Sequence, residues 1–463
     1  MKNIKRLLIA ATFLSCSCLL QAESNPKTFF MPRPHLDNLA MEYSLWHEHA
    51  YRPGKNNFNT HIQLTPFCQF SDNGDDIGKY FALENRNYFE ITTDNTKDIN
   101  SNNLGINIGD HGDVKVSLDP KQESWGARLD LFQNLVIPFK KLYLKASTPF
   151  FYVRNDLNAS FEGTGYEAAI NFFNGNYEST TGDANEIELD YAKIPTKDIS
   201  KVGFGDIDFV LGYKLIDSEK HHFFFNFGLT APIGTKPRGE YLFEPVYGNG
   251  NHFAAGFGLD ASLKLWENNK NAARILAVLN YRYLFEGHEK RTIGIDIPDY
   301  KFAHYYKMVN AYATETYESV ANILTKKISV RPGNMLEGLL NFAFTSSKFI
   351  LDIGYNIFSK QAESIIVPPS TLKIEKVGNN YEIKTIDGNF NIDNLQTLPK
   401  ELNTQTASTP SQLTHKIYAG LGYTFNVYEK YPMTFGLGSS YEFADSKNEL
   451  EQYAFWLKGI VSF

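Results

Sequence analysis

Cysteine is scarce: three residues in 463, at Cys16, Cys18 and Cys68. The first two fall in an N-terminal apolar stretch that reads as an export signal. Once that is removed, Cys68 stands alone and no intramolecular disulfide is possible, which excludes a small disulfide-stapled secreted fold. After this stretch no apolar run approaches 18 residues, which excludes a bundle of membrane helices. No strongly basic stretch occurs and the net charge is −7, with both signs dispersed along the chain. Nucleic-acid binding is therefore not expected. None of the 11 histidines lies in a G-x-S-x-G or comparable nucleophile setting, so no enzymatic activity is expected.

Lys2, Lys5 and Arg6, then apolar Leu7 to Leu20, then small Ala22 have the order of a secretory signal. Residues 1–22 are assigned to it, with export by the general secretion route. A buried N-terminal helix is the competing reading. A lipoprotein signal lipidated at Cys16 or Cys18 is another, although Phe13 stands where Leu is usual. The mature chain of roughly 440 residues could hold two or three domains or one large barrel.

Aromatics make up 14% of the chain, with 27 Tyr and 36 Phe, a supply suited to the girdles of a membrane barrel. Period-two alternation is pervasive. Ile207, Phe209, Leu211, Tyr213 and Leu215 alternate with Asp206, Asp208, Val210, Gly212 and Lys214. Phe349, Leu351, Ile353, Tyr355 and Ile357 alternate with Lys348, Asp352, Gly354 and Asn356. One face suits lipid and the other a wet interior. The strands expected are 60–70, 124–133, 140–154, 203–216, 221–234, 252–267, 272–286, 336–346, 348–360, 412–426, 431–444 and 451–463. Short connections (134–139, 217–220, 268–271, 347, 427–430) alternate with mostly long ones (71–123, 155–202, 235–251, 287–335, 361–411, 445–450). This is the asymmetry of periplasmic turns and external loops. The fold class expected is all-β, a transmembrane antiparallel up-and-down barrel of about 12 strands over residues 60–463. An even count places both termini on the periplasmic side.

The last strand, read back in twos, gives Phe463, Val461, Gly459, Leu457, Phe455 and Tyr453. This resembles the terminal signal by which outer-membrane barrels are recognised by the insertion machinery. With the export signal, it makes the chain similar to porin-like barrels from about residue 60 onward and implies the bacterial outer membrane, with its lipid as a partner. Gly203-Phe-Gly-Asp206, Gly212-Tyr-Lys, Ala231-Pro-Ile-Gly234 and Gly256-Phe-Gly258 resemble, more narrowly, the channel family associated with meta-pathway phenol degradation. That resemblance implies passage of small, even aromatic, solutes.

On this face assignment the pore-lining candidates are Arg128, Asp130, Lys145, Asp206, Asp208, Lys214, Asp260, Lys264, Arg274, Arg282, Asp352, Lys416 and Glu442. Glu286, Glu337, Lys348 and Lys458 are expected beside them. Two outcomes stay open: opposed charges lining an open pore, or mutual pairing that fills a narrow lumen. Trp456 is the best candidate for an inward ring. Segment 23–59 is a periplasmic lead-in or a plug, with Leu36 to His49 spaced for a short helix. His47-Glu48-His49, read as a strand, and the Asp72–Asp76 oxygen cluster lack established metal spacings, so no metal or cofactor is assigned. Residues 94–113 and 361–411 read as flexible loops, with small hairpins at Val114–Leu118 and Tyr381–Ile386. Segment 300–333 combines a helical stretch with an extended one and could fold into the lumen. The function expected is passive or selective passage of small solutes. The alternatives are a surface adhesin or structural barrel acting through its loops and, behind these, a barrel-embedded hydrolase. Oligomeric state is left open.

Overall fold

The computed structural model describes residues 26–50 and 60–463, except 84, 95, 136–140, 177–187, 297–300, 311–316, 368–380, 386–387, 393–401 and 429. The expected export signal lies outside the described residues.

Twelve antiparallel strands form the wall. They are β1 (Thr60–Ser71), β2 (Lys121–Asn134), β3 (Leu142–Asp156), β4 (Ile207–Asp217), β5 (His221–Ala231) and β6 (Ala254–Glu267). The rest are β7 (Asn271–Leu284), β8 (Gly333–Ser346), β9 (Phe349–Lys360), β10 (Gln412–Val427), β11 (Tyr431–Ala444) and β12 (Gln452–Ser462). Each pairs with its neighbour in sequence, and β12 closes on β1 with Ile62 opposite Val461 and Cys68 opposite Phe455. Closure satisfies the backbone groups laterally, which hydrocarbon requires. Strand lengths of 11 to 16 residues exceed the roughly 9–11 needed for a tilted crossing.

The outer face is apolar. Leu129, Phe227, Leu340, Ile353, Leu437 and Leu457 are all exposed, a band too large for water to tolerate and suited to lipid. Every expected strand forms, with altered ends. The fourth is split into Ile199–Phe204, paired with the outer half of β3, and β4, paired with its inner half. At the break, the buried Asp206 carboxylate accepts from the backbone N–H of Gly234 (2.8 Å) and Asn249 (2.7 Å). The fifth ends at Ala231 because Pro232 has no N–H to continue the ladder. In β6 a register irregularity between Lys264 and Trp266 turns Trp266 outward, half exposed.

The long loops pack into a cap with its own apolar core, including Ile77, Phe89, Ile91, Val116, Phe173, Tyr305, Val320 and Ile328. Small sheets stiffen it: Tyr88–Thr92 pairs with Asp113–Ser117, which pairs with Ser160–Thr164. The flexible loop expected over 94–113 is thus partly ordered, because Ile99, Leu104, Ile106 and Ile108 are buried there. Asp72–Asp76 leads into a helix, Gly74–Phe81, with Asp75 and Asp76 paired to Lys79. Of segment 300–333, the described residues Phe302, Ala303, Tyr305, Tyr306 and Val320 lie in the cap core, Val320–Leu324 is helical and Thr325–Arg331 pairs with Gly287–Thr292. Tyr381–Thr385 pairs with Gly388–Ile392.

Candidate functional site: a strap through the barrel

Inward positions on the wall are largely polar, and a segment outside the wall meets them. Residues 26–50 begin in the cap. Lys27 Nζ donates to Gln405 O (2.9 Å), and Thr28 Oγ1 donates to Thr292 O (2.6 Å). Phe30 joins the cap core. Phe29 lies under the Arg291 guanidinium, 3.6 Å from ring centre to Cζ. The chain then descends inside the barrel as a strap. It ends at the short-turn side, where His49 Nδ1 lies 2.6 Å from Ser462 Oγ and Nε2 lies 2.8 Å from Thr434 Oγ1.

Within the strap, helix α1 (Leu39–Tyr43) starts at Asn38, whose side chain accepts from Met41 N. Its carbonyl end is capped from the wall: Lys458 Nζ donates to the carbonyls of Met41 (2.5 Å), Glu42 (3.0 Å) and Ser44 (2.6 Å). A cation here satisfies orphan carbonyls and complements the helix dipole. His47–Ala50 is a second helical turn. The His47-Glu48-His49 run is therefore not a strand, and His47 and His49 contact different groups of the wall.

Three charged strap residues organise the contacts. Arg33 pairs with Glu442 (2.5 Å) and with Glu337, and donates to Asn356 Oδ1 (2.9 Å). Asp37 pairs with Arg282, which also holds Asp208. Glu42 pairs with Arg128 (2.5 Å) and with Lys145. Tyr43 donates to Asp260 Oδ1 (3.1 Å), and the Leu45 backbone N–H donates to Asp352 Oδ2 (2.6 Å).

Among the other candidates, Asp130 holds Arg128 (2.8 Å) and Lys416 pairs with Glu442 (3.0 Å). Arg274 donates to Ser262 Oγ (2.8 Å). Lys214 and Lys264 sit near the turns and pair within their own hairpins, with Asp217 (3.3 Å) and Glu267 (2.8 Å). Asp206 is buried, and its carboxylate is held by the Gly234 and Asn249 backbone N–H groups. Lys348 is exposed in the turn between β8 and β9, 5.9 Å from the Tyr423 ring. Glu286 pairs with Arg331 (2.5 Å) beyond the end of β7. Both therefore miss the lumen because they lie past their strand ends.

Leu45 is fully buried and has a left-handed backbone, φ 63°. Its methyls occupy a hollow left by Gly420 and Gly422 on β10 and Gly436 on β11, and a Cβ at Gly436 would collide with Leu45 Cδ1. Trp456 faces inward and is buried, its ring resting over Gly438. With the strap in place, the cavity between it and strands β2 to β7 measures about 30 Å³, room for two or three waters at roughly 10–15 Å³ each. The sequence did not single out Arg33, Asp37 or Glu42, and it offered Leu45 only as one of the apolar positions of a short helix. Two signals were present: charges set in an apolar-spaced segment, and glycines two apart on the inward faces of β10 and β11.

A closed sheet, oily outside and polar within, defines this chain as a β-barrel protein of the outer-membrane type. No protein-family model and no curated protein matches the chain. Among solved structures, it is similar to the COG4313 outer membrane channel from Pseudomonas putida F1 at 12% identity, with 90% of this chain and 98% of that one covered and a TM-score of 0.41. A TodX mutant described as a monoaromatic hydrocarbon channel gives 10% identity, 88% and 90% coverage and 0.32. A Pseudomonas aeruginosa FadL homologue gives 8%, 94% and 98%, and 0.29.

Proposed function

We propose that the protein is a small-solute channel of the bacterial outer membrane whose lumen is closed by its own N-terminal strap. One observation carries this reading. Among the described residues, strap positions 33–49 make backbone-to-backbone hydrogen bonds only within the strap, as in Glu42 N to Asn38 O and Trp46 N to Tyr43 O. Where strap backbone meets the wall its partner is a wall side chain, as at Leu45 N–H to Asp352, so the strap can leave without breaking a rung of the barrel. The wall left behind would be polar and charged, which is what a water-filled passage needs. The expected insertion signal suits this location: Tyr453, Phe455 and Leu457 are exposed on the outer face of β12, Val461 is half-buried, and Phe463 is exposed just past the strand's end. Export through the general secretion route and recognition of β12 by the insertion machinery belong to the same proposal, as does the absence of enzymatic activity.

Reconstitution in planar bilayers tests it. The full chain should show a quiet baseline with intermittent openings, and a chain lacking residues 26–50 should conduct continuously. Inserted barrels of both kinds that stay silent at every voltage would remove the channel reading. The cap, with its own buried core, favours a second reading, a barrel that presents a surface-binding module. Silent barrels would leave that one standing.

A further inference from the structure

The strap does more than fill space at Glu42. Its carboxylate lies between two cations from adjacent strands, Arg128 on β2 and Lys145 on β3. The Arg128 side chain is 2% exposed and that of Lys145 15%, so this is a desolvated anion site. Arg128 is held in position independently of Glu42, by Asp130 (2.8 Å) and the Leu36 carbonyl (2.8 Å). Lys145 has no other ion pair among the described residues. The cavity beside the pair is walled on one side by rings. Phe132 stacks on Tyr143 (4.8 Å between centroids), and Tyr143 meets Phe224 (5.7 Å).

We infer that Arg128 and Lys145 form a carboxylate-binding site for a small organic acid anion with an apolar body, and that strap residue Glu42 occupies it as a tethered stand-in. A guanidinium and an ammonium converging on one carboxylate give a charge-assisted contact stronger than a neutral one. Removing the resident carboxylate leaves buried Lys145 without an ion pair and Arg128 with Asp130 alone, a deficit of negative charge that an external carboxylate would relieve. Competition follows directly: a tethered group acts at a high effective concentration, so a free acid displaces it only when abundant. The channel reading is needed for the acid to pass through the barrel, but not for it to bind.

Binding is therefore measured apart from conduction, by calorimetry and Trp fluorescence on the detergent-solubilised full chain, with benzoate as the probe and benzyl alcohol as its uncharged control. Glu42→Gln should bind benzoate saturably and at least tenfold more tightly than the parent, while benzyl alcohol gains nothing. Glu42→Asp should resemble the parent, and Glu42→Gln with Lys145→Met should lose the gain. Heat-modifiable gel migration reports whether each variant is a folded barrel. A folded Glu42→Gln barrel with no saturable benzoate binding, or one in which benzyl alcohol gains equally, would overturn the carboxylate site. Binding without conductance would keep the site and remove only the channel.

Discussion

Replacing Leu45 by Ala is expected to loosen the strap while leaving the wall intact. The side chain is fully buried against glycines of β10 and β11. Truncating such a leucine costs about 2–5 kcal/mol, and about 3 kcal/mol is reasonable for a hollow lined by backbone that cannot collapse. Ala keeps a Cβ, so the left-handed φ of 63° stays as strained as before and does not offset the loss. The N–H that donates to Asp352 is also kept. The whole change falls on the docked strap, because the hollow is empty once the strap has left. At 1.4 kcal/mol per decade, the withdrawn population rises about a hundredfold. Single-channel recording reads this as open probability. A folded Leu45→Ala barrel whose openings are within threefold of the parent's would refute the reasoning, either because the strap does not gate or because the hollow does not hold it.

Two further predictions concern the cap. Arg291 is completely buried between Glu289 (2.7 Å) and Glu363 (2.6 Å). Burial pushes the Glu363 carboxyl up, but Arg291 and Lys360 outweigh it and hold the group well below the usual carboxylate range. Arg291→Met removes the cation the two carboxylates share, leaving Lys360 to Glu363 and His252 to Glu289, at a cost of roughly 3 kcal/mol, so limited proteolysis should cut the cap loops while the barrel core survives; equal resistance would contradict this. Glu449 is the opposite case. Burial pushes it from 4.5 up to about 8, with the Leu413 N–H pulling down and Glu442 and Asp445 adding to the rise. The folded state therefore binds more protons than the unfolded one between those values, and stability falls as pH rises through that window. Glu449→Gln should flatten that slope and make the variant the more stable form above about pH 8 in thermal unfolding scans. Parallel curves would show that Glu449 titrates normally.

The wall was legible because it obeys one local rule. A strand between lipid and a wet interior must alternate, and Phe349 to Ile357 or the residues back from Phe463 declare both faces without any partner. The alternation gave no warning of contacts distant in sequence or of where a strand stops. Asp206 fits the alternation and is buried, but its carboxylate answers the Gly234 and Asn249 N–H groups rather than a charge across the lumen, and Lys348 and Glu286 fit it but lie beyond their strand ends. The cap loops read as flexible because their apolar residues are sparse and have no single period, although together they bury a core.

The closed sheet, oily outside and charged within, is thus written locally along the chain, because each strand crosses a boundary that every second residue must respect. What answers the inward charges was settled by packing. Sequence offered an open pore or pairing across the wall. Instead, Arg33, Asp37 and Glu42 meet Glu442, Arg282 and Arg128 across gaps of 409, 245 and 86 residues. Such pairs exist only once twelve strands have closed around the strap. No local pattern encodes them, since each charge alone is equally compatible with water, a neighbour or a solute.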